Sequence, residues 1–468
     1  MKYHRLMHSW FPLAAEAAAL AALAVIEAVI IEEEEQFLSR PRRVARTRHQ
    51  RSVQEVYDGL GPTYFRRAYR MEYSTFWLLH DKLTASMEEN LYRVRRRPLP
   101  GDGVGDIGCR GRQGGNYSLP PIPNGPIQTS VRLACVIRYF AGGCPYDMMA
   151  IYGVSYVEVM TSVWTVVESV NKYKPFDIQY PKDHAKQQEI AREFEAVSGV
   201  RFNNCAGAID GVIIWISKPS EKDATEAETA RQKLFCARKN KFGLNMQAVS
   251  DVRGRILDFS IKFGGASSDC LAFDASDLFH RLESGGLLRD GLVLFGDNAY
   301  INSSYMATPF PNVSRGAEDI YNFYHSQLRI RVEGCFGQFV HRWGMLRSAI
   351  PYNITISKVV ALVSCLTRLH NFCIDAQTEK NRGTDEMAPE DRSLMVLGSG
   401  GYVSMENVDM ADVPIPIDLI IGDGNDDIPD NVARRIYQHE HDNVAILPRT
   451  ALLHHVMQTN MDRPTRRS

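Results

Sequence analysis

The chain lacks the marks of several protein classes before it shows any of its own. No two of its nine cysteines stand at Cys-x-x-Cys spacing and their number is odd, so neither a zinc site nor a disulfide framework is indicated. Reduced intracellular thiols are the economical reading. Net charge is missing as well: 54 basic residues oppose 55 acidic ones, so the overall balance selects no partner. The alanine-rich apolar run at 14–31 is interrupted by Glu16 and Glu27. It is too polar and too short for a membrane span, and it has no secretory cleavage site. We expect a helix there, ending at Glu32 to Glu35 and serving oligomerisation or packing, and no membrane association.

What the chain does have is an uneven distribution of charge. Six arginines fall within 40–51, and Arg93, Arg95, Arg96 and Arg97 form a second cluster. Residues 406–430 carry eight acids and no Lys or Arg. A basic first half and an acidic tail fit a nucleic-acid binder; exposed charged linkers give the same pattern. At 468 residues there is room for two or three domains. The expected division is an Ala-rich helix and basic arm at 1–60, a helical region at 61–180, an α/β domain at 200–376 and a largely disordered acidic tail at 377–468.

Local patterns fill in that outline. Phe65, Tyr69, Phe76, Leu79 and Leu83 recur at helical steps. Residues 101–115 and 120–123, rich in glycine and proline, have no apolar period and read as a linker or mobile loop. Residues 127–174 read as a helix to Phe140, a stop at Gly142-Gly143, a short helix 146–152 broken by Gly153, and a longer helix capped by Ser155. That is the outline of a helix-turn-helix, serving DNA contact or plain packing. A polar helix at 183–197 follows, and then the period changes to strands. These are expected at 206–216, at 243–249 and 256–263 around a hairpin turn shaped by Asp251, and at 291–295. Helices are expected at 326–343 and 358–374, and the whole suits a mixed α/β core.

Three acids stand out within this core. Asp210 and Asp297 each follow a short apolar run, placing them at strand ends, and Glu333 sits on a helix anchored by Ile330, Phe336, Gly337 and Val340. Carboxylates gathered from strands and a helix can hold a pair of hard divalent cations, which clamp the attacking and leaving oxygens of a phosphodiester.

The segments around these acids, taken in order, resemble the PIF/Harbinger transposases and the nucleases derived from them. They are Asn204-Cys205-Ala206-Gly207-Ala208-Ile209-Asp210-Gly211, the stretch from Arg238 through Asn245 to Asp251 and Gly254, Gly264-Gly265-Ala266-Ser267-Ser268-Asp269, Gly296-Asp297-Asn298-Ala299-Tyr300, and Arg329-Ile330-Arg331-Val332-Glu333 with Phe336-Gly337. One departure is Ser268, where the family commonly has histidine. The resemblance implies an RNase H-like nuclease fold preceded by a helix-turn-helix. It further implies a divalent-metal-dependent endonuclease or transposase, with Mg²⁺ or Mn²⁺ bound by Asp210, Asp297 and Glu333. Asp269 matches a further family acid, either facing the metals or orienting a loop at a strand end. Lys239, Arg329 and Arg331 are candidates for DNA phosphate contact or simple solvation. His325 either orders a helix start or assists proton transfer. DNA, a Myb-like DNA-binding protein and further copies of the chain are the expected partners. The nucleus is the expected location, with the 40–51 arginines in place of a lysine-rich signal. The alternative is a domesticated DNA-binding or scaffold protein that no longer cuts.

Overall fold

The computed structural model of the chain describes residues 48–95, 126–226, 231–313, 315–351, 354–382, 448–459, 461 and 463. The helix expected at 14–31, Arg40, Arg42, Arg43, Arg46, Arg96 and Arg97, the glycine-rich 101–115, the prolines at 120–123 and the acidic 406–430 lie outside the described residues.

The helical region begins with α1 (Val53–Tyr69), whose start is fixed by a capping box. Ser52 Oγ accepts from the Glu55 amide at 3.2 Å, and Glu55 Oε2 accepts from the Ser52 amide at 2.6 Å. Arg70, in the left-handed conformation, ends it, and α2 (Tyr73–Arg95) follows. The stripe Phe65, Tyr69, Phe76, Leu79 and Leu83 therefore spans two helices, and all five side chains are buried. Next come α3 (Thr129–Phe140), α4 (Pro145–Tyr152) and α5 (Tyr156–Lys172). Gly153 at φ 65° closes α4 and Ser155 caps α5 through the Glu158 amide, so the chain bends by 106° between them. This is helix-turn-helix geometry. Helix α5 buries Val159, Val163, Val166 and Val170, and it packs against α2, α3 and the later helix Ile356–Arg382.

After α6 (His184–Val197) the sheet begins. Its strands are β1 (Cys205–Trp215), β2 (Phe235–Cys236), β3 (Lys241–Ser250), β4 (Ile256–Gly264), β5 (Val293–Phe295) and β6 (Met306–Ala307). The spatial order is β4-β3-β1-β5-β6, with the short β2 on the start of β3. Strand β3 runs antiparallel to both β4 and β1, whereas β5 and β6 run parallel to β1 and to each other. The fold is mixed α/β, a five-stranded mixed sheet of RNase H-like order flanked by helices, with an N-terminal helical region. The hairpin turn forms as its sequence dictates: Asp251 Oδ1 accepts from the amides of Arg253 and Arg255 at 2.9 and 2.8 Å, and Gly254 supplies φ 83°.

Between β4 and β5 lie α7 (Asp269–Asp274) and α8 (Asp277–Glu283); after β6 come α9 (Ala317–Arg342) and α10 (Ile356–Arg382). Helix α9 starts nine residues before the expected 326, and its buried stripe is Leu328, Val332, Cys335, Phe336 and Phe339, with Ile330 and Val340 only partly covered. Residues 356–378 of α10 are long and apolar enough to cross a bilayer, and 67% of that window is buried inside the protein. Within the tail expected to be disordered, α11 (Pro448–Thr459) is a helix that packs on α9 through buried Leu452 and Val456.

Candidate active site

Asp210 does not end its strand. It is the sixth of eleven residues in β1, paired with Ala248 on β3. The opening at its side comes from its other neighbour: β5 pairs with β1 only as far as Ala208 opposite Phe295, so β1 runs on past the end of β5. Asp297 lies in the loop that leaves β5 there, where its Oδ1 accepts from the Ala299 amide at 2.8 Å and holds a tight turn. Glu333 comes from α9, which packs across β1.

Arg329 ties two of these acids together. One turn before Glu333 on α9, its guanidinium reaches Glu333 Oε1 at 2.6 Å and Asp210 Oδ2 at 3.5 Å. Burial lowers its pKa, but Glu333 and then Asp210 outweigh that cost and hold it above its usual value, with Asp297 adding to the effect. Asp210 is pushed in the unexpected direction for a paired carboxylate, up to about 7. Burial is the main cause, followed by the charge of Asp297; the Gly211 amide and Arg329 oppose it, and Asp269 adds to the rise. The pocket thus carries more negative charge than Arg329 neutralises.

Asp269 opens α7 rather than ending a strand, next to the N-cap Ser268. Its Oδ1 accepts from Gln247 Nε2 at 2.8 Å and Asn245 Nδ2 at 3.0 Å, two buried polar side chains on one face of β3. Gln247 Oε1 in turn accepts from the Tyr300 hydroxyl. Burial, then the charges of Asp269, Asp210 and Asp297, push that phenol well above its usual pKa. Gly211 permits this approach: a Cβ there would stand 2.0 Å from Asp269 Oδ1 and 2.5 Å from Gln247 Nε2. Sequence reasoning gave no role to Gly211, Asn245, Gln247 or Tyr300. The polar pair at two-residue spacing inside the apolar run of β3 was the available signal.

The other sequence candidates lie apart. Lys239 is exposed on the turn before β3. Seven residue steps along β3 lead from Lys241 to Ala248, the partner of Asp210, roughly 24 Å of extended strand. Arg331 lies two positions from both Arg329 and Glu333, on a different side of the helix, with a buried Nε that has no hydrogen-bond partner. His325 is inside α9 rather than at its start. Fully buried and stacked on Phe295, it is hydrogen-bonded through Nε2 to the Ala307 carbonyl at 3.0 Å. Burial pushes it down to about 4, and Arg329 and Arg449 add to that, so it is a neutral core residue that joins α9 to β6.

The donor set suits a hard divalent cation: only carboxylate oxygens, in charge excess, with a guanidinium standing as cation between Asp210 and Glu333. Among the described residues, no three His, Cys, Asp or Glu side chains are already placed to hold a metal ion. Arg329 is the cation that stands between Asp210 and Glu333 here. No curated protein and no solved structure matches the chain. A family model does, over 209–371, a span that contains all four acids. Residues 209–371 are therefore a DDE superfamily endonuclease domain of the Harbinger-type, transposase-derived family.

Proposed function

We propose that this domain is a divalent-metal-dependent DNA endonuclease, with Asp210, Asp297 and Glu333 as its metal-binding carboxylates and Asp269 as a supporting acid. The observation that carries the reading is the meeting of Asp210 and Glu333 on Arg329, with Asp297 close enough to perturb both Asp210 and Arg329. Bound Mg²⁺ or Mn²⁺ would supply an activated water or 3′-hydroxyl and stabilise the leaving oxyanion. The residues of the chain do the rest. Gln247 and Asn245 hold Asp269 in place, and the Asx turn of Asp297 fixes its carboxylate beside β1. Cleavage of duplex DNA with Mg²⁺, Mn²⁺ or chelator tests this. Asp210→Asn is expected to abolish metal-dependent cutting and to leave DNA binding intact; equal cleavage by that variant would sink the assignment.

One observation favours a second reading, a protein that binds DNA without cutting it. Arg329 already compensates two of the acids, and a domain locked in that state would bind no metal. Calorimetric titration with Mn²⁺ separates the two readings. A chromosomal DNA substrate would call for a nuclear location, with the 40–51 arginines as import determinant. A Myb-like protein and a second copy of the chain complete the proposed assembly. Deletion of 40–51 with imaging, and co-purification, test these.

A further inference from the structure

A second cluster of charge, wholly basic, lies where the helical region meets the end of α9. Arg70 caps α1, Arg138 stands in the last turn of α3, and His341 and Arg342 close α9, with Arg347 following. The backbones there are in close contact: a Cβ on Gly344 would lie 2.5 Å from the Ala141 carbonyl oxygen, and one on Gly142 3.3 Å from Gly344. Phe140 packs edge-on to Trp343 with ring centres 6.3 Å apart. Arg347 Nη2 donates to His341 Nδ1 at 2.9 Å. Among the described residues, none of the four arginines is in an ion pair with a carboxylate. The Nε atoms of Arg70, Arg138 and Arg342, Nη1 of Arg342 and Nε2 of His341 are buried without a hydrogen-bond partner.

Such an arrangement is costly in isolation. Guanidinium groups in a partly buried seam repel one another, and orphaned donors forgo hydration. Burial, then Arg347, Arg138 and Arg342, hold Arg70 below its usual pKa, and the causes include no acid. Phosphate oxygens would balance the charge through guanidinium nitrogens other than these buried ones, since Arg70, Arg138 and Arg342 are partly exposed and Arg347 is exposed. Arg342 is nine positions beyond Glu333 on the same helix, roughly 14 Å at 1.5 Å per residue. Phosphates of one DNA strand are spaced about 3.4 Å along the axis, so the cluster stands roughly four base pairs from the carboxylates.

We propose that Arg70, Arg138, Arg342 and Arg347 form a phosphate clamp that holds the DNA backbone of the substrate beside the cut site, joining the helical region to the nuclease domain. This rests on the reading of the domain as DNA-acting. The test is fluorescence anisotropy of the full chain on a labelled duplex, without metal, from 50 to 200 mM NaCl. Arg347→Gln, Arg138→Gln and the double variant are compared with wild type and with Arg192→Gln, an exposed position on α6. Each clamp substitution is expected to weaken binding roughly five- to tenfold near 100 mM salt and to lower the slope of log K against log salt by about one. Arg192→Gln is expected to change neither. Arg347 is exposed, so its variant remains informative if Arg138→Gln fails to fold. An unchanged slope for folded Arg347→Gln and for the double variant overturns the clamp. So does stabilisation of wild type but not the double variant by inositol hexakisphosphate with the DNA slope unchanged, which marks a small-anion site. Because no metal is present, these outcomes are independent of cleavage: an active Asp210→Asn protein refutes the catalytic reading and leaves the slopes as they are.

Discussion

The Asp210 carboxylate should make the metal-free protein less stable than an uncharged replacement would. In the folded chain its pKa is held at about 7, against 3.8 for the free side chain, chiefly by burial and the charge of Asp297. The native state therefore binds this proton more tightly than the unfolded chain does. Stability from that source is fully present below about pH 4 and is lost as pH rises through about 7. At about 1.4 kcal/mol per pH unit of difference, the loss amounts to roughly 4 kcal/mol at most above pH 7. Asp210→Asn removes the titration and keeps an oxygen that can accept from the Gly211 amide, a bond of 2.8 Å in the native site. Urea unfolding in EDTA at pH 4, 5, 6, 7 and 8 measures the gap between the two proteins, and other titrating groups cancel in the difference. The variant is expected to exceed wild type by under about 1 kcal/mol at pH 4, rising to roughly 2–4 kcal/mol by pH 7 and level beyond it. Saturating Mg²⁺ is expected to close the gap, because a ligand of the native state at a hundred times its Kd adds about 2.7 kcal/mol to wild type alone. A gap that stays flat with pH, or a variant less stable at pH 8, refutes the reasoning.

Gly211→Ala is expected to cost roughly 2–4 kcal/mol in urea unfolding, because its Cβ would overlap Asp269 Oδ1 and break the bond to Gln247. In an Asp269→Ala background the same change should cost less than about 1 kcal/mol, and additive effects would show that the close approach does not govern the site. His325→Ala is expected to destabilise the fold by roughly 2–4 kcal/mol while leaving the pH profile of any cleavage unchanged between pH 6 and 8, since the ring is neutral throughout that range; loss of a limb near pH 6.5 would return it to proton transfer.

The parts of the fold legible in the sequence are those whose physics is local. The β3–β4 hairpin followed from two apolar runs around a turn that Asp251 and Gly254 must make, and the bend before α5 followed from Gly153 and Ser155. The parts that were not legible depend on distant neighbours. Asp210 sits mid-strand, and only the shortness of β5 exposes its flank, a property of another segment. The buried stripe of α9 is chosen by the sheet it lies on, so a count of apolar residues from 326 onward selected Ile330 and Val340 where Leu328, Val332 and Phe339 are buried. Arg329 and Glu333 were readable as a helical pair one turn apart. That the pair also reaches Asp210 required the third dimension. Helix α11 could not be found from periodicity, because what fixes it is a docking site on α9 rather than an apolar pattern of its own.

The position of Glu333 is consequently a joint property of both regions. Helix α9 has 26 residues, roughly 39 Å of rigid rod, and Glu333 lies between two anchors along it. On its N-terminal side His325 and Leu328 bind it to the sheet. On its C-terminal side Trp343, fully buried against Phe140 and donating to the Leu366 carbonyl at 2.9 Å, binds it to α3 and α10. Asp210 and Asp297 are carried instead by β1 and by the loop after β5, elements of the sheet. Any shift of the helical region on the sheet would therefore move Glu333 against the two aspartates and lengthen the Arg329–Asp210 contact before the i,i+4 pair Arg329–Glu333, which travels as one unit. The Arg329–Asp210 contact, at 3.5 Å the longer of the two, is thus the one that such a shift opens first, and the helix that carries it ends among the basic residues we assign to DNA.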